Sequence, residues 1–173
     1  AWASFFAALV YLYRFCRERF GDESGRAAVA LLACYPFALF FSTAYTEALF
    51  LLTLVGACYH FERDERWPAA AWGLLAGLTR PNGCLLSVVL ALIALRPLWP
   101  LRWPVPRPLW TSLAARMGVA ALPGIGMLMY SAFIYRLTGH PLQWAAQNAA
   151  WYQQYRNRPL ERVIEDYDGV HRQ

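Results

Sequence analysis

Polar and apolar positions alternate in long blocks along the chain, and the blocks set the expected elements. Residues 1–13 are apolar and close on Arg14, Arg17, Glu18 and Arg19, with Gly21 to Arg26 reading as a turn. The next block, 27–61, holds one charged side chain, Glu47. At 1.5 Å per residue it measures roughly 52 Å, too long for one bilayer crossing and just short of two. Its hydroxyl-bearing centre, Ser42 to Thr46, therefore reads as a turn between two helices. The charged run Glu62-Arg63-Asp64-Glu65-Arg66 ends the block, and residues 67–95 repeat it around Thr79-Arg80-Pro81-Asn82-Gly83. Pro81 disfavours helix at Arg80 and Gly83 tolerates a tight turn, so the break belongs there.

A connection rich in Pro and Trp follows over 96–116, with Arg96, Arg102, Arg107 and Arg116 and no acid. Residues 117–135 read as a further helix, kinked near Pro123. Past Gly139-His140-Pro141, residues 142–155 show helical periodicity. Gln143, Gln147 and Gln154 share one stripe and Trp144, Trp151 and Tyr155 another. The expected architecture is all-α. It is a polytopic transmembrane helical protein with spans over 1–13, 27–42, 46–61, 67–79, 83–95 and 117–135, short re-entrant-like outer turns, an outer interfacial helix over 142–155 and an external loop over 156–173. All of this forms one transmembrane domain, 1–173. The first apolar block is too short to span, so the sequence is expected to begin inside a helix as a fragment.

Composition agrees with that pattern. Hydrophobic residues make up 58% of the chain, and charged residues 16%, below the roughly 25% of an average soluble domain. The net charge of +5 comes from arginine alone among the basic residues. Those arginines lie mostly between apolar blocks, where they would orient the chain in a bilayer and not bind nucleic acid. Cys16, Cys34, Cys58 and Cys84 are widely spaced and form no Cys-x-x-Cys pair.

Candidate chemistry sits in the two central turns. A carboxylate among apolar residues needs protein or water around it, which makes Glu47 the first functional candidate. The alternative is a place in the first turn of a helix, with Thr43 as N-cap. Arg80 beside a helix N-terminus would hold a phosphate. It could also reach toward solvent, or pair with Glu47. Ser42 and Tyr45 would orient a hydroxyl-rich ligand, or cap a helix. Trp144, Gln147 and Trp151 would stack on and hydrogen-bond a sugar, or form an interfacial belt. His60 and His140 show no metal-ligand spacing.

The residues of these turns resemble the PIG-V-type mannosyltransferases, multi-pass glycosyltransferases of the GT-C class, and their bacterial relatives in particular. Tyr35-Pro36 with Phe40-Phe41-Ser42 and Tyr45-Thr46-Glu47-Ala48-Leu49-Phe50 looks like one family segment, and Thr79-Arg80-Pro81-Asn82-Gly83 is similar to another. The likeness extends over most of 1–151. It departs at Gly139-His140-Pro141, where relatives often have Gly-Asp-Pro, and it lacks the acidic first external loop.

The resemblance implies a membrane enzyme that transfers mannose or a related hexose from a polyprenyl-phosphate donor to a lipid or glycan acceptor hydroxyl. It would work on the outer face of a bacterial inner membrane, surrounded by membrane lipids. Glu47 would be the catalytic carboxylate, and Arg80, Asn82, Tyr45, Ser42, Gln147 and Trp151 would bind substrate. The resemblance fixes no cofactor and leaves a divalent metal open. A transporter or flippase for a lipid-linked sugar would use the same cavity without chemistry. In a non-catalytic membrane scaffold, Glu47 and Arg80 would only pair with each other.

Overall fold

The computed structural model describes residues 1–42, 46–98 and 107–146, and they are helical apart from short turns. Seven α-helices follow in order: α1 (Trp2–Phe20), α2 (Asp22–Ala33), α3 (Leu39–Ser42), α4 (Glu47–Glu62), α5 (Arg66–Thr79), α6 (Leu85–Leu95) and α7 (Arg107–Thr138). Three 3-10 turns, Pro36–Ala38, Pro81–Cys84 and Arg96–Leu98, fall among them. The chain divides into two units, Ala1–Tyr130 and Ser131–Gln173.

In the first unit α1 packs against α2 and α4, and α4 packs against α5. Gly21, with φ of 95°, makes the α1–α2 corner alone. The helix expected only after Arg26 accordingly starts at Asp22, with Asp22 and Glu23 in its first turn, where the positive end of the dipole favours acids. The core is built largely from small side chains. Ala57, Ala69, Ala76 and Ala94 are buried beside Phe61, Leu86 and Leu90. Small residues let backbones close in: a Cβ on Gly56 would meet the Trp72 ring at 3.1 Å, and one on Gly77 would lie 2.0 Å from the Pro123 carbonyl oxygen of α7. On α6 the stripe Leu86, Leu90, Ala94 turns inward, while Leu85, Val88 and Leu92 stay exposed.

In the second unit the end of α7 leads through Gly139, at φ 74°, to a helical start at 143–146. There the Trp144 indole donates to Ser131 Oγ at 3.4 Å. Most of the helix expected over 142–155, and the whole loop 156–173, lie outside the described residues.

Element type follows the expectation, but the polytopic GT-C-like architecture does not. Among the described residues one helix, Trp110–Thr138, is long and apolar enough to cross a membrane. α2, α4, α5 and α6 have 12, 16, 14 and 11 residues. At 1.5 Å per residue these are about 16 to 24 Å long, short of a hydrocarbon core of about 30 Å. α1 has 19 residues, but Arg14, Arg17, Glu18 and Arg19 occupy its last third. Six spans, outer turns and a multi-pass placement in the inner membrane are therefore corrected. α7 also begins about ten residues before the expected position. Pro108 is its second residue, where proline costs little because the N–H it lacks has no helical partner.

Candidate functional site

α4 carries a charged cluster at each end, and the two clusters differ in kind. At its N-terminus stand the residues that the sequence singles out. Pro81 keeps Arg80 extended, at φ −149° and ψ 141°, as the C-cap of α5. From there the Arg80 Nε donates to Thr46 Oγ1 at 3.0 Å, and Nη2 donates to Glu47 Oε1. Glu47 is the first residue of α4, with Thr46 in the N-cap position and no side-chain cap. Arginine and glutamate side chains are about one-third exposed, 36% and 28%. Glu47 Oε2 is buried and has no hydrogen-bond partner among the described residues.

Of the remaining predicted site residues, Asn82 and Ser42 fall among the described residues. Asn82 lies in the 3-10 turn Pro81–Cys84, where its carbonyl accepts the Leu85 N–H. Ser42 closes α3. Tyr45, Gln147 and Trp151, like the proposed cap Thr43, lie outside the described residues. Arg80 stands directly before the 3-10 turn Pro81–Cys84, which runs into α6 at Leu85, and its guanidinium is hydrogen-bonded to Thr46 and Glu47.

The C-terminal end of α4 assembles residues that the sequence reading passed over. Asp64, at φ 57°, folds the chain between α4 and α5, a backbone region that aspartate tolerates better than most residues. The turn brings Glu65 back onto α4. Glu65 Oε1 accepts from Arg63 Nε at 2.8 Å, and Oε2 lies 2.5 Å from His60 Nδ1. A carboxylate only accepts, so Nδ1 carries a proton, and Nε2 lies 3.1 Å from the Tyr11 hydroxyl. Arg63 Nη1 also reaches both Glu18 oxygens at 3.1 Å, and the Tyr59 hydroxyl donates to Glu18 at 3.1 Å. Arg19 pairs with Glu62 at 2.5 Å.

This network shifts its members. Hydrogen bonds from Arg63 and then His60 hold the Glu65 carboxyl below its ordinary value. Burial, followed by the Glu18 carboxylate, pushes the Tyr59 phenol up. Burial, with a smaller contribution from Glu62, pushes the Cys58 thiol up to about 11. Cys58 is thus a protonated, inert thiol at neutral pH.

Beside the network opens a cleft of about 560 Å³, lined by Phe15, Glu18, Arg19, Phe20, Tyr59, Glu62, Arg63 and Arg96. Its volume falls within the roughly 300–1,000 Å³ of small-molecule sites. Three guanidinium groups and two carboxylates line the cleft, and Arg63 is shared between Glu18 and a third acid, Glu65. Arg19 and Arg63 are engaged with acids, whereas Arg96 has no carboxylate partner among the described residues. It stands in the 3-10 turn after α6 and also lines an adjoining groove with Arg19, Leu92, Ile93 and Leu95. The signal for this site was present as two charge-dense runs, Arg14 to Arg19 and Glu62 to Arg66, each closing an apolar helix. Among the described residues no three His, Cys, Asp or Glu side chains come together as a metal-ligand set.

The chain matches no family model, no curated protein and no solved structure. The resemblance to PIG-V-type mannosyltransferases is accordingly corrected: it rested on two short motifs, and their charges meet each other. The hexosyltransferase activity, the polyprenyl-phosphate donor, the lipid or glycan acceptor and the membrane-lipid surroundings were implied by that resemblance, and they fall with it. The transporter and membrane-scaffold alternatives lose the polytopic frame they required.

Proposed function

We propose that this chain is a ligand-binding helical protein whose site is the cleft at the C-terminal ends of α1 and α4, and that its ligand is a small anion. The observation that carries the reading is Arg96, a cation at the cleft without a carboxylate partner among the described residues, beside Arg19 and Arg63 whose acids are already engaged. Guanidinium groups bind carboxylates and phosphates through directed, charge-assisted hydrogen bonds. Fixed pairs such as Arg63 with Glu18 and Glu65 hold the walls in place, so little side-chain ordering remains for the ligand to impose. The Arg80–Glu47 pair is a bridge between α4 and α5 that leaves no surplus charge of either sign.

Calorimetric titration with acetate and benzoate tests this. Saturable binding is expected in the wild type, weakened about tenfold in Arg96→Gln, the loss of one charge-assisted contact. Arg80→Gln should bind as the wild type does. Absence of binding by either anion, or equal binding by Arg96→Gln, would overturn the reading.

A further inference from the structure

The composition of the cleft wall narrows the ligand class, on the reading that the cleft binds an anion. From the charge balance and the aromatic wall we infer that the preferred ligand is a monoanionic carboxylate carrying an aromatic or other apolar group, and not an inorganic or dianionic phosphate. With Glu18 and Glu62 on the same wall, a dianion would bring its second charge toward two fixed carboxylates while only one uncompensated guanidinium faces it. A like-charge approach of that kind disfavours the wrong ligand more than added contacts favour the right one.

The apolar part has its own place. Phe15 and Phe20 line the same cleft, Phe20 is 64% exposed, and the Arg19 guanidinium lies 5.9 Å from the centre of its ring. A flat hydrophobic group can cover that ring while its carboxylate turns to Arg96. The volume exceeds what a bare carboxylate or sulfate fills, so such an ion alone would leave the aromatic wall wet.

Acetate, benzoate and phenyl phosphate, titrated into the full chain at pH 8, separate these terms. Benzoate should bind about tenfold more tightly than acetate and more tightly than phenyl phosphate, because it alone satisfies both the wall and the charge count. Phe20→Ala, an exposed position at the end of α1, should bring benzoate down to the level of acetate. Glu62→Gln removes one acid and releases Arg19, so it should reverse the order in favour of phenyl phosphate. Acetate and benzoate binding alike, phenyl phosphate binding best in the wild type, or an unchanged order in Glu62→Gln would each overturn the inference while anion binding itself stands. No binding by any of the three would overturn the anion reading and this inference together.

Discussion

The two ends of α4 hold the same kinds of side chain and do different things with them. At the N-terminal end one arginine meets one glutamate and one threonine, and the charges cancel. At the C-terminal end Tyr59, His60, Arg63, Glu18 and Glu65 hydrogen-bond in series, and beside them the cleft keeps an extra guanidinium. The first joins two helices. The second is a wall of paired charges beside which Arg96 stands without an acid among the described residues. A charged residue in apolar surroundings is thus a poor guide to function until its partner is known. What marks a site is a charge that its neighbours leave without a partner.

The comparison can be broken at its frame first. Gly77→Ala puts a Cβ 2.0 Å from the Pro123 carbonyl and forces α5 away from α7, which should cost about 3 kcal/mol in urea unfolding. Next comes Arg80→Ala, which leaves Glu47 without its cation and Thr46 without its donor. For a pair one-third exposed this should cost about 1–2 kcal/mol, with anion titration unchanged. Arg63→Gln loosens the opposite end but acts on side chains about 40% exposed, 44% for Arg63 and 39% for Glu18. Its unfolding free energy should fall by less than that of Arg80→Ala.

The smallest effect is a pH dependence. Because the folded Glu65 carboxyl is depressed by Arg63 and His60, its contribution to stability is present above the ordinary carboxylate value. That contribution is lost as pH falls through the lower, folded value. Unfolding midpoints measured from pH 6 downward should fall less steeply in Glu65→Gln than in the wild type. An unchanged slope would separate Glu65 from the network.

The sequence disclosed the local breaks better than the assembly. Gly21 and Pro81 end helices where their backbone chemistry requires it, and the pairing of Glu47 with Arg80 could be listed from two isolated charges in apolar flanks. The number of spans failed for a physical reason: counting apolar residues across 27–61 sums α2, a 3-10 turn, α3 and α4, whose separate lengths are what a bilayer would measure. The Arg107 to Arg116 stretch read as connection because Pro108 was weighed without its place in the helix. The C-terminal cluster was hidden for another reason. Glu18 and Tyr59 are far apart in sequence, and Glu65 reaches His60 only because Asp64 adopts a left-handed turn.

Side-chain NMR of the arginine Nε–H groups during benzoate titration tests the contrast between the two ends most directly. The Arg96 signal should move and saturate with the calorimetric midpoint, while the Arg80 signal, held between Thr46 and Glu47, should stay in place. A stationary Arg96 signal, or an Arg80 signal that moves with the same midpoint, would contradict it.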